Sequence, residues 1–212
     1  MEEVVNNFFE DELYYKDYLV LKYRIEYPQI IKSRYRYGAQ RFNLYNYNKA
    51  IELKKYCENE LLIEAKKLYD HNISNGYPMI VFEVSFNYQI TYNKNGIISL
   101  YTDEYVFSGG AHGITKRESQ NWNLQSGKII ALSDFFQNNS YFVIDILKEI
   151  NNQIEYQIKN GQNQYFNNYC KLVQENIKFE NYYITDNGIA LFFNQYEIAP
   201  YSSGILVFII KK

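Results

Sequence analysis

The segment after Pro78 most constrains the fold, because apolar and polar side chains alternate along it without a break. Every second position is apolar: Ile80, Phe82, Val84, Phe86, Tyr88, Ile90 and Tyr92. Since successive side chains of a strand point to opposite faces, this pattern predicts a long strand with one buried face. Asn95-Gly96 then predicts a type I′ turn, so that residues 80–107 form a hairpin. We expect the apolar face of this hairpin to pack against helices near residues 142–158.

The first third of the chain predicts two strands and a helix. Alternation from Tyr18 to Tyr27 indicates a half-buried strand, which Pro28 is expected to end. Residues 34–42 favour a second, less regular strand. From Asn46 a partial helical period predicts a helix that ends at the Asn75-Gly76 signal.

The residues after the hairpin predict a third strand, then helices, then three short strands. The charged and amide side chains of residues 114–124 suit a sheet edge or a wet face. Ser133 is placed to cap a short turn, and Ser140 to cap a helix with one apolar face. The remaining elements are a helix at 165–177 and strands at 182–185, 189–193 and 205–210.

Strands grouped together with helices between them predict the α+β class, with an antiparallel sheet covered by helices on one face. The chain has 212 residues, of which 47% are hydrophobic, so it can bury one or two cores. We expect a smaller strand-helix subdomain over residues 1–77 and a second domain over residues 78–212.

Charge and composition exclude some partners. The formal net charge is -2, and the 22 basic residues are scattered among 24 acidic ones, so nucleic acid is not an expected partner. The 24 tyrosines are better explained by composition and packing than by a binding surface. They accompany abundant Asn, Lys and Ile, as an AT-rich genome imposes, and many fall at alternating strand positions where they would pack. The first ten residues contain no signal peptide and no membrane span is apparent, which indicates a cytosolic protein or one whose leader was removed.

The two cysteines, Cys57 and Cys170, lie far apart in predicted helices and have none of the spacings that bind zinc or carry out redox exchange. We expect both to be small buried hydrophobes. The alternative is a disulfide between them, which would place the protein in an oxidising compartment.

The segment Ser108-Gly-Gly-Ala-His-Gly113 is the most distinctive glycine-rich stretch. A phosphate loop leads from a strand into a helix, whereas this segment is predicted to join two strands, so phosphate binding is not expected. A structural or ligand-contacting turn is the favoured interpretation, with His112 hydrogen-bonded to backbone. The alternative is a small hydrolase that uses His112 with Glu197 or Asp134, for which the sequence supplies no oxyanion hole.

A second distinctive loop, residues 196–204, combines aromatic and polar side chains between two apolar strands. Tyr196, Glu197 and Tyr201 are candidates for contact with a protein or glycan, although Tyr packing at a hairpin corner explains the aromatic residues equally well. Asp134 is interpreted as a helix N-terminal charge. The isolated His71 and His112 form no metal-ligand cluster, so neither a metal nor a cofactor is expected.

Five ordered motifs resemble one known family. They are Ser-Gly-Gly-Ala-His-Gly at 108–113, Trp-Asn-Leu-Gln-Ser-Gly-Lys at 122–128, Leu-Ser-Asp-Phe-Phe at 132–136, Asn-Gly-Ile-Ala-Leu-Phe-Phe at 187–193 and Tyr-Glu-Ile-Ala-Pro-Tyr at 196–201. Residues 78–212 thereby resemble the extracytoplasmic domain of unknown function of the lysozyme-sensing anti-sigma factor RsiV. The same domain adjoins the deacetylase domain of the peptidoglycan deacetylase PdaC. Residues 25–30 and 48–51 are similar to the companion N-terminal domain of PdaC.

The resemblance implies an extracytoplasmic, envelope-associated α+β module that performs no chemistry. Its implied partner is a protein, lysozyme in the case of RsiV, or a cell-wall glycan. The ligand-contact candidates are Ser108, His112, Tyr196, Glu197 and Tyr201. The sequence has no recognisable transmembrane segment, sigma-binding tail or deacetylase domain, so neither anti-sigma signalling nor deacetylation is inferred. Besides the small hydrolase, the second alternative to a binding module is an intracellular structural or oligomerisation domain.

Overall fold

A computed structural model describes residues 1–136, 139–162 and 164–211. The strands are β1 (Glu3–Tyr15), β2 (Tyr18–Lys32), β3 (Phe82–Lys94), β4 (Ile97–Phe107), β5 (Ile114–Asn123), β6 (Lys128–Ile129), β7 (Tyr182–Thr185), β8 (Gly188–Phe193) and β9 (Leu206–Ile210). The helices are α1 (Arg36–Tyr56), α2 (Leu62–Asn75), α3 (Phe142–Lys159) and α4 (Tyr169–Asn176). A π-helical turn (Cys57–Leu61) joins α1 to α2, and single 3₁₀ turns occur at Leu132–Phe135 and Tyr201–Ser203.

The fold is α+β, as the sequence predicts. One sheet has the strand order β1-β2-β3-β4-β5-β6, and a second has the order β7-β8-β9. The larger sheet is mixed, because β1 and β2 are antiparallel whereas β2 and β3 are parallel. A parallel pair needs a long crossover, and the α1–α2 segment between these strands supplies it.

The chain divides into two compact units. The first comprises Met1–Gln89, Thr102–Lys116 and Leu124–Gly127; the second comprises Ile90–Tyr101, Arg117–Asn123 and the chain from Lys128 onward. The division of the chain into domains at residue 77 stays a prediction.

The first unit begins with a hairpin that sequence analysis did not predict. β1 pairs antiparallel with β2 across a two-residue turn, in which Lys16 and Asp17 have φ values of 48° and 66°. Pro28 does not end β2, which continues to Lys32. The pairing of β2 with β3 covers only residues 21–25 of β2. Pro28 lies beyond this pairing, so no backbone N–H is needed there to bond with β3.

The predicted strand at residues 34–42 is wrong, since α1 begins at Arg36 and not at Asn46. The buried residues of this helix are Gly38, Ala39, Phe42, Asn46, Ala50 and Leu53. Their spacing of three to four extends the helical period back beyond Asn46. The predicted end of α2 is confirmed, because Gly76 is left-handed with φ 69°.

The core of the first unit corrects the expected partner of the long hairpin. Phe82, Val84 and Phe86 are buried as predicted, but they pack against the buried face of the segment from α1 to α2, not against α3. The alternation of β3 identifies the buried face but not the element that covers it. Cys57 lies in the same core and is fully buried. Burial, followed by the nearby Glu104 and Glu58 carboxylates, raises the pKa of its thiol to about 12.

In the second unit, Ile146, Ile150 and Ile154 of α3 pack against the β7-β8-β9 sheet, including Phe208. The three predicted C-terminal strands are confirmed within two residues, and the Asn95-Gly96 turn has positive φ at both positions. Helix α4 begins at Tyr169 and not at residue 165.

Several smaller predictions are wrong for local reasons. Neither Ser133 nor Ser140 is a capping residue: the Asp134 carboxylate accepts a hydrogen bond from the Ala131 N–H at 3.0 Å, and the Asn139 side chain accepts one from the Tyr141 N–H at 2.8 Å. The interpretation of Asp134 as a helix N-terminal charge is therefore confirmed. Both cysteines are free, and Cys170 is exposed, not buried.

The end of β5 is also not the wet edge that its composition suggested, because Gln120, Asn121 and Trp122 are buried. Within the second unit its amides connect strands. The Asn121 amide donates to the Tyr182 carbonyl at 2.8 Å, and the fully buried Ser99 hydroxyl donates to the Asn121 side-chain oxygen at 2.6 Å. Ser99 in turn accepts from the Ile184 N–H at 2.8 Å. Buried amides are tolerated here because the network satisfies them.

Candidate functional site

The glycine-rich loop Ser108–Gly113 joins β4 to β5 in the first unit. Ser108 and His112 are exposed, as the sequence analysis expects of a ligand-facing loop. The His112 Nδ1 atom lies 3.0 Å from the Gly113 carbonyl oxygen. A carbonyl only accepts, so Nδ1 carries the proton, and the interpretation of His112 as a backbone-bonded turn residue is confirmed.

The loop ends at Gly113, where the neighbouring Tyr105 leaves no room for a side chain. Gly113 is buried, and a Cβ atom built on it would lie 2.4 Å from the ring of Tyr105. The loop joins two strands and not a strand to a helix, so it lacks the helix N-terminus that phosphate loops use.

The loop from Asn194 to Gly204 lies in the second unit and carries the two candidate tyrosines, of which Tyr196 is exposed and Tyr201 is half-buried. Tyr196 is 51% exposed and has a left-handed backbone with φ 67°. Its ring centroid lies 5.8 Å from that of Tyr201. Left-handed backbone is uncommon for a bulky residue and persists only where the surroundings impose it.

Glu197 helps to hold Tyr196 in this left-handed conformation. Its carboxylate accepts hydrogen bonds from the Asn194 N–H at 2.7 Å and from the Lys178 ammonium at 2.8 Å. The Glu197 side chain is only 15% exposed, whereas that of Lys178 is 48% exposed. The carboxylate therefore holds the turn in which Tyr196 is the most exposed residue.

Sequence reasoning missed the other residue that fixes this loop, Asn194. Its side chain accepts from the Arg117 N–H at 2.6 Å and donates to the Arg117 carbonyl at 3.2 Å, so that it pairs with β5 as a strand residue would. Ile198 and Ala199 are buried beneath the loop. The only signal in the sequence was an amide directly after a strongly apolar strand.

A cleft of about 450 Å³ in the second unit was also not predicted. Tyr92 and Phe135 contribute aromatic walls, and the turn before Gly188 contributes polar groups. At its edge the Lys94 ammonium pairs with the Asp186 carboxylate at 2.6 Å, and both side chains are exposed. These residues are far apart in the sequence, and only the fold places them together.

The described part of the chain holds no group of three or more His, Cys, Asp or Glu side chains able to bind a metal ion. Helices within the same residues are too short or too polar to cross a membrane. The Asp134 and Glu197 carboxylates, the two acids proposed as partners for a catalytic histidine, both accept hydrogen bonds from backbone N–H groups of their own turns.

The resemblance to a PdaC-type domain of unknown function is confirmed by comparison with known proteins. Residues 15–115 match the family model described as "Deacetylase PdaC", and residues 133–212 match the one described as "Protein of unknown function (DUF3298)". These two partial matches support a PdaC/DUF3298-type domain of unknown function. The Asn194–Gly204 loop lies in the DUF3298 region, and the Ser108–Gly113 loop lies in the PdaC region. No curated protein matches the chain.

Two solved structures have a similar fold. A DUF3298 family member from Bacteroides fragilis is 17% identical, with a TM-score of 0.72 over 99% of this chain and 90% of that chain. A DUF3298 family protein from Pseudomonas aeruginosa is 14% identical, with a TM-score of 0.61 over 99% of this chain and 91% of that chain. At these identities the likeness concerns the fold alone.

Proposed function

We propose that this chain is a non-catalytic recognition module of the bacterial cell envelope, located outside the cytoplasm. It binds a lysozyme-like protein or a peptidoglycan fragment through Tyr196 and Tyr201. The observation that carries the proposal is the exposed Tyr196 ring, which a left-handed backbone holds beside Tyr201.

A fixed aromatic pair suits recognition for a physical reason. Tyr gives a large contact area with few rotatable bonds, and a loop that is already ordered loses less entropy when it binds. The left-handed backbone of Tyr196 costs roughly 1–2 kcal/mol, which the Glu197 hydrogen bonds offset. Backbone strain is typically retained at functional sites, so strain at the exposed Tyr196 supports the proposal that this residue contacts a partner.

The non-catalytic part of the proposal is supported by the engaged carboxylates. The carboxylate of the hydrolase alternative would have to bind and orient a histidine, whereas Asp134 and Glu197 accept hydrogen bonds from N–H groups of their own turns. His112 is fixed by its bond to the Gly113 carbonyl. These contacts favour a structural role for the three side chains over a catalytic one.

The test is calorimetry of the purified chain against lysozyme and against a disaccharide-peptide muropeptide. We expect Tyr201→Ala and Tyr196→Gly each to weaken binding by more than about 1 kcal/mol, roughly fivefold in Kd. Glycine at position 196 also removes the backbone strain, so the loss of binding would come without a loss of stability. The control is Tyr156→Ala, another exposed tyrosine of the second unit, which should bind as the wild type does.

Other outcomes are informative. If neither ligand binds, the recognition proposal is rejected, and a structural or oligomerisation role becomes the better hypothesis. A hydrolase panel with wild type and His112→Ala tests the third class of function. Turnover that disappears on this substitution would overturn the non-catalytic assignment.

A further inference from the structure

The outermost strand of the first unit, β1, is an open edge. It stands at the end of the sheet order, and among the described residues its strand pairing is with β2 alone. The strand has 13 residues, and its register with β2 is regular from Val4 to Leu13. In an antiparallel pair alternate residues direct their N–H and C=O groups away from the partner, so β1 presents a row of such groups along its outer side.

β1 carries acidic side chains but lacks other devices that prevent an edge from pairing. Proteins protect long edges with Pro, charged residues, bulges or shortening. The strand sequence EVVNNFFEDELYY contains no Pro, Gly, Lys or Arg, and its register shifts fall only near its ends. Its charged residues are all acidic: Glu3, Glu10, Asp11 and Glu12.

The two faces of β1 have different roles. Phe9, Leu13 and Tyr15 pack against the core of the first unit. The opposite face carries two acidic residues flanked by two aromatic ones: Phe8, Glu10, Glu12 and Tyr14. Phe8 is 52% exposed and Tyr14 is 56% exposed.

Local contacts show that these four side chains share one face. The Arg24 guanidinium of β2 lies 4.3 Å from the centroid of the Phe8 ring and pairs with Glu10. The Tyr14 hydroxyl donates to the Glu12 carboxylate at 2.8 Å. The face therefore carries two carboxylates at alternate positions between two exposed rings.

We propose that β1 binds an extended polypeptide segment with basic side chains at alternate positions, which adds to the sheet as a further strand. Backbone hydrogen bonds would provide the pairing, and Lys or Arg opposite Glu10 and Glu12 would select the segment. A second copy of this chain is the less suitable occupant, because two β1 strands together bring only acidic charges to the interface. The proposal does not rest on the tyrosine loop, which lies in the other unit.

The test uses a nine-residue amidated peptide that alternates lysine with threonine, and a second peptide of the same sequence with N-methyl groups on one pairing edge. Binding is measured by calorimetry, and hydrogen exchange of β1 amides by mass spectrometry. We expect the first peptide to bind and to slow exchange in β1. The methylated peptide keeps the charge but cannot form the ladder, so it should do neither.

Charge variants test the selectivity. Glu10→Gln with Glu12→Gln should weaken peptide binding about three- to tenfold, since each cross-strand ion pair contributes modestly. The matched control removes two exposed acids of the helical segment of the first unit, with Glu60→Gln and Glu64→Gln, and should change binding less than twofold. Equal binding of both peptides, equal effects of both double variants, or no binding would each reject the proposal. So would self-association through β1 in sedimentation experiments.

Discussion

The substitution Gly38→Ala should have two opposing effects on the stability of the first unit. Gly38 lies in the first turn of α1, where replacement of glycine by alanine normally favours the helix by up to about 1 kcal/mol. A Cβ atom at this position, however, would lie 1.9 Å from the carbonyl oxygen of Leu124 and 2.6 Å from its carbonyl carbon and Cα.

The sign of the effect follows from what the methyl group meets. A side chain could rotate away, but a backbone carbonyl can yield only if the segment around Leu124 or the start of α1 moves. Leu124 is fully buried, so such a movement disturbs packed surroundings. Overpacking of this kind costs typically 1–3 kcal/mol and occasionally more. Because a backbone carbonyl cannot rotate away, we expect the upper end of this range, about 3 kcal/mol, and a net loss of roughly 2 kcal/mol once the gain of about 1 kcal/mol in helix propensity is subtracted.

Urea denaturation followed by circular dichroism measures this loss, as a lower midpoint with an unchanged slope. For a chain of this size the melting temperature should fall by about 4–8 °C. Asn48→Ala, at an exposed position of the same helix, is the control and should be neutral or slightly stabilising. A Gly38→Ala protein as stable as this control would refute the argument, because the helix start would then have room to move.

Two further predictions concern buried polar and thiol groups. Ser99→Ala leaves the Ile184 N–H and the Asn121 side-chain oxygen without their partner, so we expect a loss of about 2–4 kcal/mol in urea denaturation. Ser85→Ala, at a half-buried position of β3, should cost less than about 1 kcal/mol, and equal losses would contradict the network's role. For the thiols, a maleimide at pH 7 should modify one cysteine of the native chain, the exposed Cys170, and both in urea. Rapid modification of native Cys57, whose pKa is raised to about 12, would show that its site opens readily.

The parts of the fold that could be predicted from the sequence are those in which the pattern is local. The alternation of β3 and the Asn95-Gly96 turn are properties of a few neighbouring residues, and the structure contains both. The end of α2 at Gly76 is local in the same sense, because only glycine adopts φ 69° without cost.

Prediction failed where partners distant in sequence decide the outcome. β1 contains the polar run Glu10-Asp11-Glu12, which obscures its alternation, and it becomes a strand because β2 pairs along its whole length. Residues 34–42 contain three aromatic side chains and a glycine, which are poor helix signals, yet Gly38 and Phe42 are buried on one face of α1. The helix that covers β3 is likewise a matter of topology, and the alternation of a strand does not contain that information.

The candidate loops show the same limit for function. Tyr196, Glu197 and Tyr201 stand out in the sequence as an unusual group, but the sequence does not separate their roles. In the structure the Glu197 carboxylate bonds to the Asn194 N–H and to Lys178, so its removal would release the turn as well as any ligand contact. A Glu197 variant that failed to bind would therefore not distinguish recognition from loop order. Tyr196→Gly makes that distinction, since glycine keeps the left-handed turn and removes only the ring.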